Sequence, residues 1–287
     1  MTCLPAGRFK SLYRLESVNM PELPEVETIK RQLEKEILGA EIVGIEVRDR
    51  RCWEGEWEGS EKIVAIERVG KYLFIKFASG RGLVIHLKMT GRLVLAPPAS
   101  ASYGEARHTR VVLNLKDGRK IYYWDTRMFG YIRLENNLQL SIYNLQKKMG
   151  LEPWDISDID LLRKFKKTGR SIKEVILDQS MLAGVGNIYG NDGLWSAGID
   201  PRRKANSLKP KEVAKLRASL CEVLKRGLAT GGASDNSYVD AYGKRGSYQN
   251  EFLVYGRTSE PCNKCGMTLK RIIVGGRGTW ICEGCQK

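Results

Sequence analysis

The chain has 287 residues, with 48 Lys and Arg against 33 Asp and Glu, a formal charge of +15. That length suits two or three modules, each with its own core, and no apolar run reaches the roughly 20 residues of a membrane helix. The charge balance argues against an acidic or membrane-embedded protein and for a polyanionic partner, most commonly nucleic acid; the basic residues also cluster, as in "RKFKKTGRSIK" (163–173) and "DPRRK" (200–204).

Taken in chain order, residues 1–19 contain no signal-peptide core, because Arg8, Lys10, Arg14 and Glu16 interrupt them. They read as a leader outside the mature protein, with the working start at Met20 and a cytoplasmic location. Residues 22–38 read as a helix: Leu23, Val26, Ile29, Leu33 and Ile37 recur at helical spacing and Gly39 stops them. From 41 to about 135 the texture is that of strands, rich in branched and aromatic residues, with "ASGRG" and "KDGR" as hairpin turns. Together, residues 20–150 are expected to form an antiparallel β-sandwich with a helix on it.

"KKMGLEPWD" (147–155) has the Gly and Pro of a linker, and after it the strands stop. Residues 151–254 read as helical. In the last of these helices Val213, Leu216, Leu220, Val223 and Leu224 make an apolar stripe that is simply core. Two glycines, Gly190 and Gly193, fall inside another of the helices, where each costs about 0.5–1 kcal/mol relative to Ala. The polar, glycine-rich stretch that follows, about 234–248, is too long for a passive connection. It is expected to be the least ordered part. The whole is a multidomain α+β protein.

Seven cysteines are an odd number, and four of them form two C-x-x-C pairs, which is not a secreted disulfide framework. Cys262, Cys265, Cys282 and Cys285 give C-x2-C-x16-C-x2-C. Such knuckles place four thiolates around one Zn²⁺, and four protein ligands leave no open position, so the metal is structural. A module of residues 255–287 is too short to bury a core alone and draws folding energy from the metal. Between the knuckles a hairpin presents Arg277 on a "GGRG" tip.

Several separated segments, "MPELPEVET", "GKYL", "HLKMTGRL", "DTRMFG", "GVGNIY", "VYGR" and the terminal "CQK", occur in an order that closely resembles the bacterial formamidopyrimidine-DNA glycosylase family, over essentially residues 20–287. The resemblance implies removal of oxidised purines from damaged double-stranded DNA, with β,δ-elimination at the abasic site, and a helix-two turns-helix domain at 151–254; a monomer is the default expectation. It implies that Pro21 is the nucleophile through its α-amine, that Glu22 protonates the sugar ring oxygen, and that Lys71 transfers protons. Glu25 resembles a second carboxylate of the same pocket, and Arg277 the arginine that grips phosphate and assists δ-elimination. Met89, Arg127 and Phe129 resemble the wedge that fills the duplex when a nucleotide flips out. His108 and Asn187 match DNA contacts. At Gly169 the chain departs from the family, which often carries a basic contact there. Arg170 and Lys173 stand nearby, and Lys173 is the better match. His86, in the alternating "LVIHLKM", reads as a strand residue at or near the core.

Each residue also has a plainer reading. Pro and Glu are favoured at any helix start, Met and Phe are ordinary core residues, and Lys71 or Arg277 suits a solvated turn. Two other functions stay open at this point: an endonuclease VIII-like enzyme acting on oxidised pyrimidines, and a non-catalytic nucleic-acid-binding protein. In every enzymatic reading Pro21 reacts only as a free secondary amine, so residues 1–20 must be absent from the active chain.

Overall fold

The computed structural model describes residues 20–96, 107–235 and 237–287; the leader assigned to 1–19 lies outside them. Helix α1 (Leu23–Ile37) turns Leu23, Val26, Ile29, Leu33 and Ile37 to one side, and all are at most 1% exposed. Pro24 sits in the first turn, where its missing N–H removes no helical bond.

Nine strands follow: β1 (Glu41–Val47), β2 (Trp53–Glu54), β3 (Glu61–Val69), β4 (Tyr72–Phe77), β5 (Gly82–His86), β6 (Arg92–Ala96), β7 (Thr109–Leu115), β8 (Lys120–Trp124) and β9 (Tyr131–Glu135). Their hydrogen-bonded order is β2-β9-β5-β4-β3-β1-β7-β8-β6. The pairing is antiparallel except at the two-residue β2, which runs parallel to β9. β1 and β3 share only the pairs Glu41↔Lys62 and Ile42↔Glu61. The sheet turns over at this narrow seam. Alternate residues of β3–β5 (Ile63, Leu73, Ile75, Leu83, Ile85) and of β6–β8 (Leu93, Val111, Leu113, Ile121) then meet in one core with α1. A helix that the sequence reading did not single out, α2 (Leu138–Lys148), covers the opposite face, where Leu138 and Ile142 pack on Phe74 and Val84.

The second half holds α3 (Asp158–Lys166), α4 (Ile172–Leu177), α5 (Asn187–Ala197) and α6 (Pro210–Ala229), then a hairpin of β10 (Lys270–Val274) and β11 (Arg277–Ile281). The α6 stripe is buried as its spacing predicts. Tyr255, Leu269 and Trp280 belong to the same apolar cluster as that stripe, so the cysteine module shares the helical core rather than standing apart. The domains are joined by Arg68, 9% exposed at its side chain, which pairs with Glu27 of α1 and Glu152 of the linker.

The two glycines of α5 are explained by packing. A Cβ on Gly193 would lie 2.5 Å from Leu220 Cδ2, and one on Gly190 3.0 Å from Leu177 Cδ2. α5 therefore lies close against α6 on one side and α4 on the other. Gly193→Val should lower stability by about 2 kcal/mol through overpacking, read as a lower urea midpoint with unchanged slope; an unchanged midpoint would show that the contact has slack.

Candidate active site and nucleic-acid interface

The first turn of α1 sits where the sandwich meets the helical domain. Leu23 N donates to Gly184 O at 3.1 Å, and Ile188 N, at the start of α5, donates to Glu22 Oε1 at 2.8 Å. A Cβ on Gly184 would collide with the Leu23 side chain, and one on Gly186 with the Glu22 carboxyl. These glycines make room for the start of α1.

Glu22 is 2% exposed, and its second oxygen, Oε2, is buried with no hydrogen-bond partner. Burial pushes its pKa up to about 7; nearby Lys71 pulls it down and Glu25 pushes it further up. Glu25, 1% exposed, is by contrast saturated. It accepts from Glu22 N at 2.8 Å, Tyr189 OH at 2.7 Å and Ala233 N at 2.7 Å. Burial still raises its pKa.

Lys71 ends the tight turn between β3 and β4. Gly70 takes φ +58°, and its N–H donates to Glu152 Oε1 at 3.1 Å. The lysine is 6% exposed; burial lowers its pKa, Glu22 opposes the shift, and Arg277 adds to it. Arg277 is exposed at the first position of β11, after Gly275 and Gly276 at φ +56° and +71°. Glu22, Glu25, Lys71 and Arg277, from three distant segments, therefore share one electrostatic neighbourhood. Pro21 borders it, walled by Met20, Ile188, Ala233, Asp235, Ser237 and Tyr238. Two roomier cavities lie elsewhere, about 530 Å³ against Glu56, Glu58 and Arg81 and about 580 Å³ against Gln146, Trp154 and Asp155.

Lys173 differs from its expectation. It is not offered to a ligand in this structure: it is 0% exposed, and Nζ donates to Thr279 Oγ1 at 2.6 Å, Gly278 O at 2.8 Å and Asn191 Oδ1 at 3.3 Å. Burial pushes its pKa down to about 7, with Arg277 adding. It ties α4 and α5 to the hairpin just behind the Arg277 tip. Arg170 is exposed and pairs with Asp178 at 2.8 Å.

The remaining residues lie on the sandwich rim and the α5 start. Phe129 is 54% exposed, and the Arg127 guanidinium stands 4.9 Å from its ring centroid. Met89 is half-buried on the neighbouring turn, where its carbonyl accepts from Ser237 Oγ at 3.3 Å. His108 stacks edge-on against Trp124, with centroids 5.3 Å apart. Asn187 opens α5 and accepts from Asn191 Nδ2 through its main-chain oxygen at 2.6 Å. His86 is 6% exposed, and burial pushes it down to about 3, which fits its placement in a strand. The segment expected to be least ordered is laid against α1 and β6 through Gln32–Asp240 and Leu95 N–Ala241 O bonds of 2.8 Å; Asn236 within it lies outside the described residues.

Residues that the sequence reading passed over hold the hairpin and the segment before it onto α5. Asp192, 0% exposed, accepts from Tyr248 OH and from the main-chain N–H of Leu253, Val254 and Tyr255 at 3.0–3.2 Å. Asn191 accepts from Trp280 N at 3.0 Å. A polar pair inside a helix was the available signal.

The Sγ atoms of Cys262, Cys265, Cys282 and Cys285 all lie within 4.8 Å of one another, with the cross pairs 262–285 and 265–282 at 3.8 and 3.4 Å. A tetrahedral thiolate set with bonds of about 2.3 Å has edges of about 3.8 Å, so the four sulfurs fit one structural metal ion, most readily zinc. Among the described residues no helix is long and apolar enough to cross a membrane.

Comparison with known proteins gives three family matches in chain order: the formamidopyrimidine-DNA glycosylase N-terminal domain over residues 20–132, the formamidopyrimidine-DNA glycosylase H2TH domain over 149–238, and the zinc finger found in FPG and IleRS over 259–287. The chain is 41% identical over 280 residues to the formamidopyrimidine-DNA glycosylase of Desulfitobacterium hafniense, covering 93% of this chain and 100% of that one. It resembles the crystal structure of a Lactococcus lactis FPG mutant with Fapy-dG-containing DNA at TM-score 0.85 and 36% identity, covering 93% of this chain and 100% of that one. The likeness to the Lactococcus lactis complex with abasic-site DNA is similar, at TM-score 0.84 and 36% identity, covering 93% and 99%.

Cys282→Ser should release the metal and loosen residues 255–287 while the sandwich stays folded. Metal release to a chromophoric chelator and limited proteolysis would show this; retained metal would refute it. Glu22 yields a second test. Its folded-state pKa is raised from 4.5 to about 7, so the folded state holds the proton more tightly than the unfolded chain. The associated stability is fully present below about pH 4.5 and is lost as pH rises toward 7. The thermal midpoint of the wild type should therefore fall relative to Glu22→Gln across that interval, whereas parallel curves would show that Glu22 is not held protonated.

Proposed function

The chain belongs to the formamidopyrimidine-DNA glycosylase family, and we propose on that premise that its base excision runs through a Schiff base on Pro21, with Glu22, Lys71 and Arg277 as the other catalytic groups. The protein is a base-excision repair glycosylase of oxidised purines with abasic-site lyase activity. The observation that carries the mechanism is the buried, unpartnered Glu22 Oε2 beside Pro21, on a carboxyl whose pKa stands near 7.

The Pro21 amine attacks C1′ of the damaged nucleotide, the C1′–N bond to the base breaks, and the proton given up by the proline nitrogen goes to the departing base. As the C1′–O4′ bond opens, O4′ takes the Glu22 proton, leaving an iminium between C1′ and the proline nitrogen. A carboxyl half-protonated near neutrality suits that transfer. Glu25, saturated by three donors, keeps the first turn of α1 rigid. Lys71, its pKa lowered by burial, moves protons at the sugar. Arg277, exposed on its rigid tip, holds the phosphate that leaves in the second elimination. Met89, Arg127 and Phe129 form the wedge, and His108, Asn187 and Arg170 are placed to meet the backbone. Lys173 acts here by holding the Arg277 hairpin. One zinc ion on the four cysteines closes the hairpin's base. The protein works as a monomer.

This chemistry needs Pro21 as the first residue, because the nitrogen of an internal proline is a tertiary amide. Protein beginning at Pro21, incubated with an 8-oxoguanine duplex and reduced with borohydride, should give a covalent adduct; protein retaining Met20 and the residues before it should give none. A thymine glycol duplex tests the endonuclease VIII-like alternative, and trapping there in preference to 8-oxoguanine would overturn the purine assignment. No adduct on either duplex from the Pro21 form would sink the Schiff base.

A further inference from the structure

The wedge side chains stand on two turns that have no covalent reason to move together. Met89 lies between β5 and β6, and Arg127 and Phe129 lie between β8 and β9. Each turn contains a non-glycine residue in the left-handed region, Lys88 at φ +51° and Met128 at φ +55°. Such residues are uncommon and persist only when their surroundings hold them.

A single carboxylate braces both turns. Asp125 is 0% exposed. Its Oδ1 accepts from Thr90 Oγ1, on the Met89 turn, and from Arg127 N at 3.0 Å. Its Oδ2 accepts from Gly130 N at 2.9 Å and Tyr123 OH at 3.3 Å. Thr90 Oγ1 also accepts from Arg127 N at 3.2 Å, closing the link between the turns. A Cβ on Gly130 would collide with the Tyr123 hydroxyl. The turn is thus packed onto the same group that donates to Asp125.

We propose that Asp125 is a positioning residue for base flipping: its buried carboxylate locks the two turns into one rigid wedge, so that Met89, Arg127 and Phe129 enter the duplex as a unit. The inference rests on the reading of those three as the wedge. It adds that their effect depends on a residue that never touches DNA. A wedge acts only on the step in which a paired, stacked nucleotide leaves the helix. Loosening it therefore slows excision of a paired lesion and leaves the chemistry on an unpaired one nearly intact.

The test uses single-turnover excision by protein beginning at Pro21, on 8-oxoguanine opposite cytosine and on the same lesion opposite an abasic position. Asp125→Asn keeps the volume but cannot accept from both backbone N–H groups through a single oxygen. It should lose about 30-fold on the paired lesion and less than about threefold on the unpaired one. Thr90→Val removes only the cross-link between turns and should shift the paired-to-unpaired ratio the same way by a smaller factor, which keeps the test decisive if Asp125→Asn fails to fold. Equal losses on both substrates, or none on either, would overturn the proposal. Met89→Ala with Phe129→Ala serves as the reference. If that double variant shows no paired–unpaired difference, the wedge reading itself fails. If it does and Asp125→Asn does not, only the role of Asp125 falls.

Discussion

Two carboxylates buried three residues apart at the start of α1 are the constraint from which the architecture of the site follows. Burying a carboxylate without partners costs several kcal/mol or forces it to take up a proton. Glu25 offsets part of that cost with donors from the α1 N-cap, from α5 and from the segment after α6, though burial still raises its pKa. Glu22 escapes only half of it, through Ile188 N. All of these donors but Glu22 N belong to the helical domain while α1 packs on the sandwich, so satisfying the carboxylates and docking the domains are one event. Gly184 and Gly186 let the chain come close enough, and the Arg68 pairing with Glu27 and Glu152 fixes the same seam from the other side. The site exists only in the docked arrangement, which is why no single module would carry the activity.

What could be read beforehand was local in sequence. The α1 and α6 stripes, the strand texture and the cysteine spacing follow from periodicity and ligand geometry, and the structure places them as read. α2 went unread because its sequence, "LQLSIYNLQKK", buries only Leu138 and Ile142. The glycines of α5 looked like a cost because their reasons, Leu220 on α6 for Gly193 and Leu177 on α4 for Gly190, lie elsewhere along the chain. Asp192, Asn191 and the inward turn of Lys173 were unreadable for the same reason: a polar side chain gives no sign in sequence of which distant N–H it will meet. The catalytic candidates themselves came from resemblance, since Pro and Glu at a helix start are also what capping favours.

The hairpin shows how a protein combines a fixed stem with an exposed reagent. Lys173 and Asn191 hold β11 from behind, Trp280 Nε1 donates to Thr258 at 2.8 Å, and the cysteine cluster closes the base. Only the tip is left to solvent. Lys173 lies close enough to Arg277 that the two cations repel, and Lys173 yields, because burial already disfavours its charge whereas a guanidinium stays charged.

The same competition governs Glu22 and Lys71. Their attraction favours the ion pair, but burial is the larger influence on both, raising one and lowering the other. Burial thus moves the two pKa values toward each other. Bound DNA would press further on this balance. Its phosphates bring negative charge and its bulk excludes water, and both raise the pKa of a carboxyl already near 7. A bound duplex would therefore favour the protonated form of Glu22 further. A negative field would also favour the charged form of Lys71, against the lowering that burial imposes. In the mechanism proposed above, burial and a bound duplex therefore act in the same direction on Glu22 and in opposite directions on Lys71.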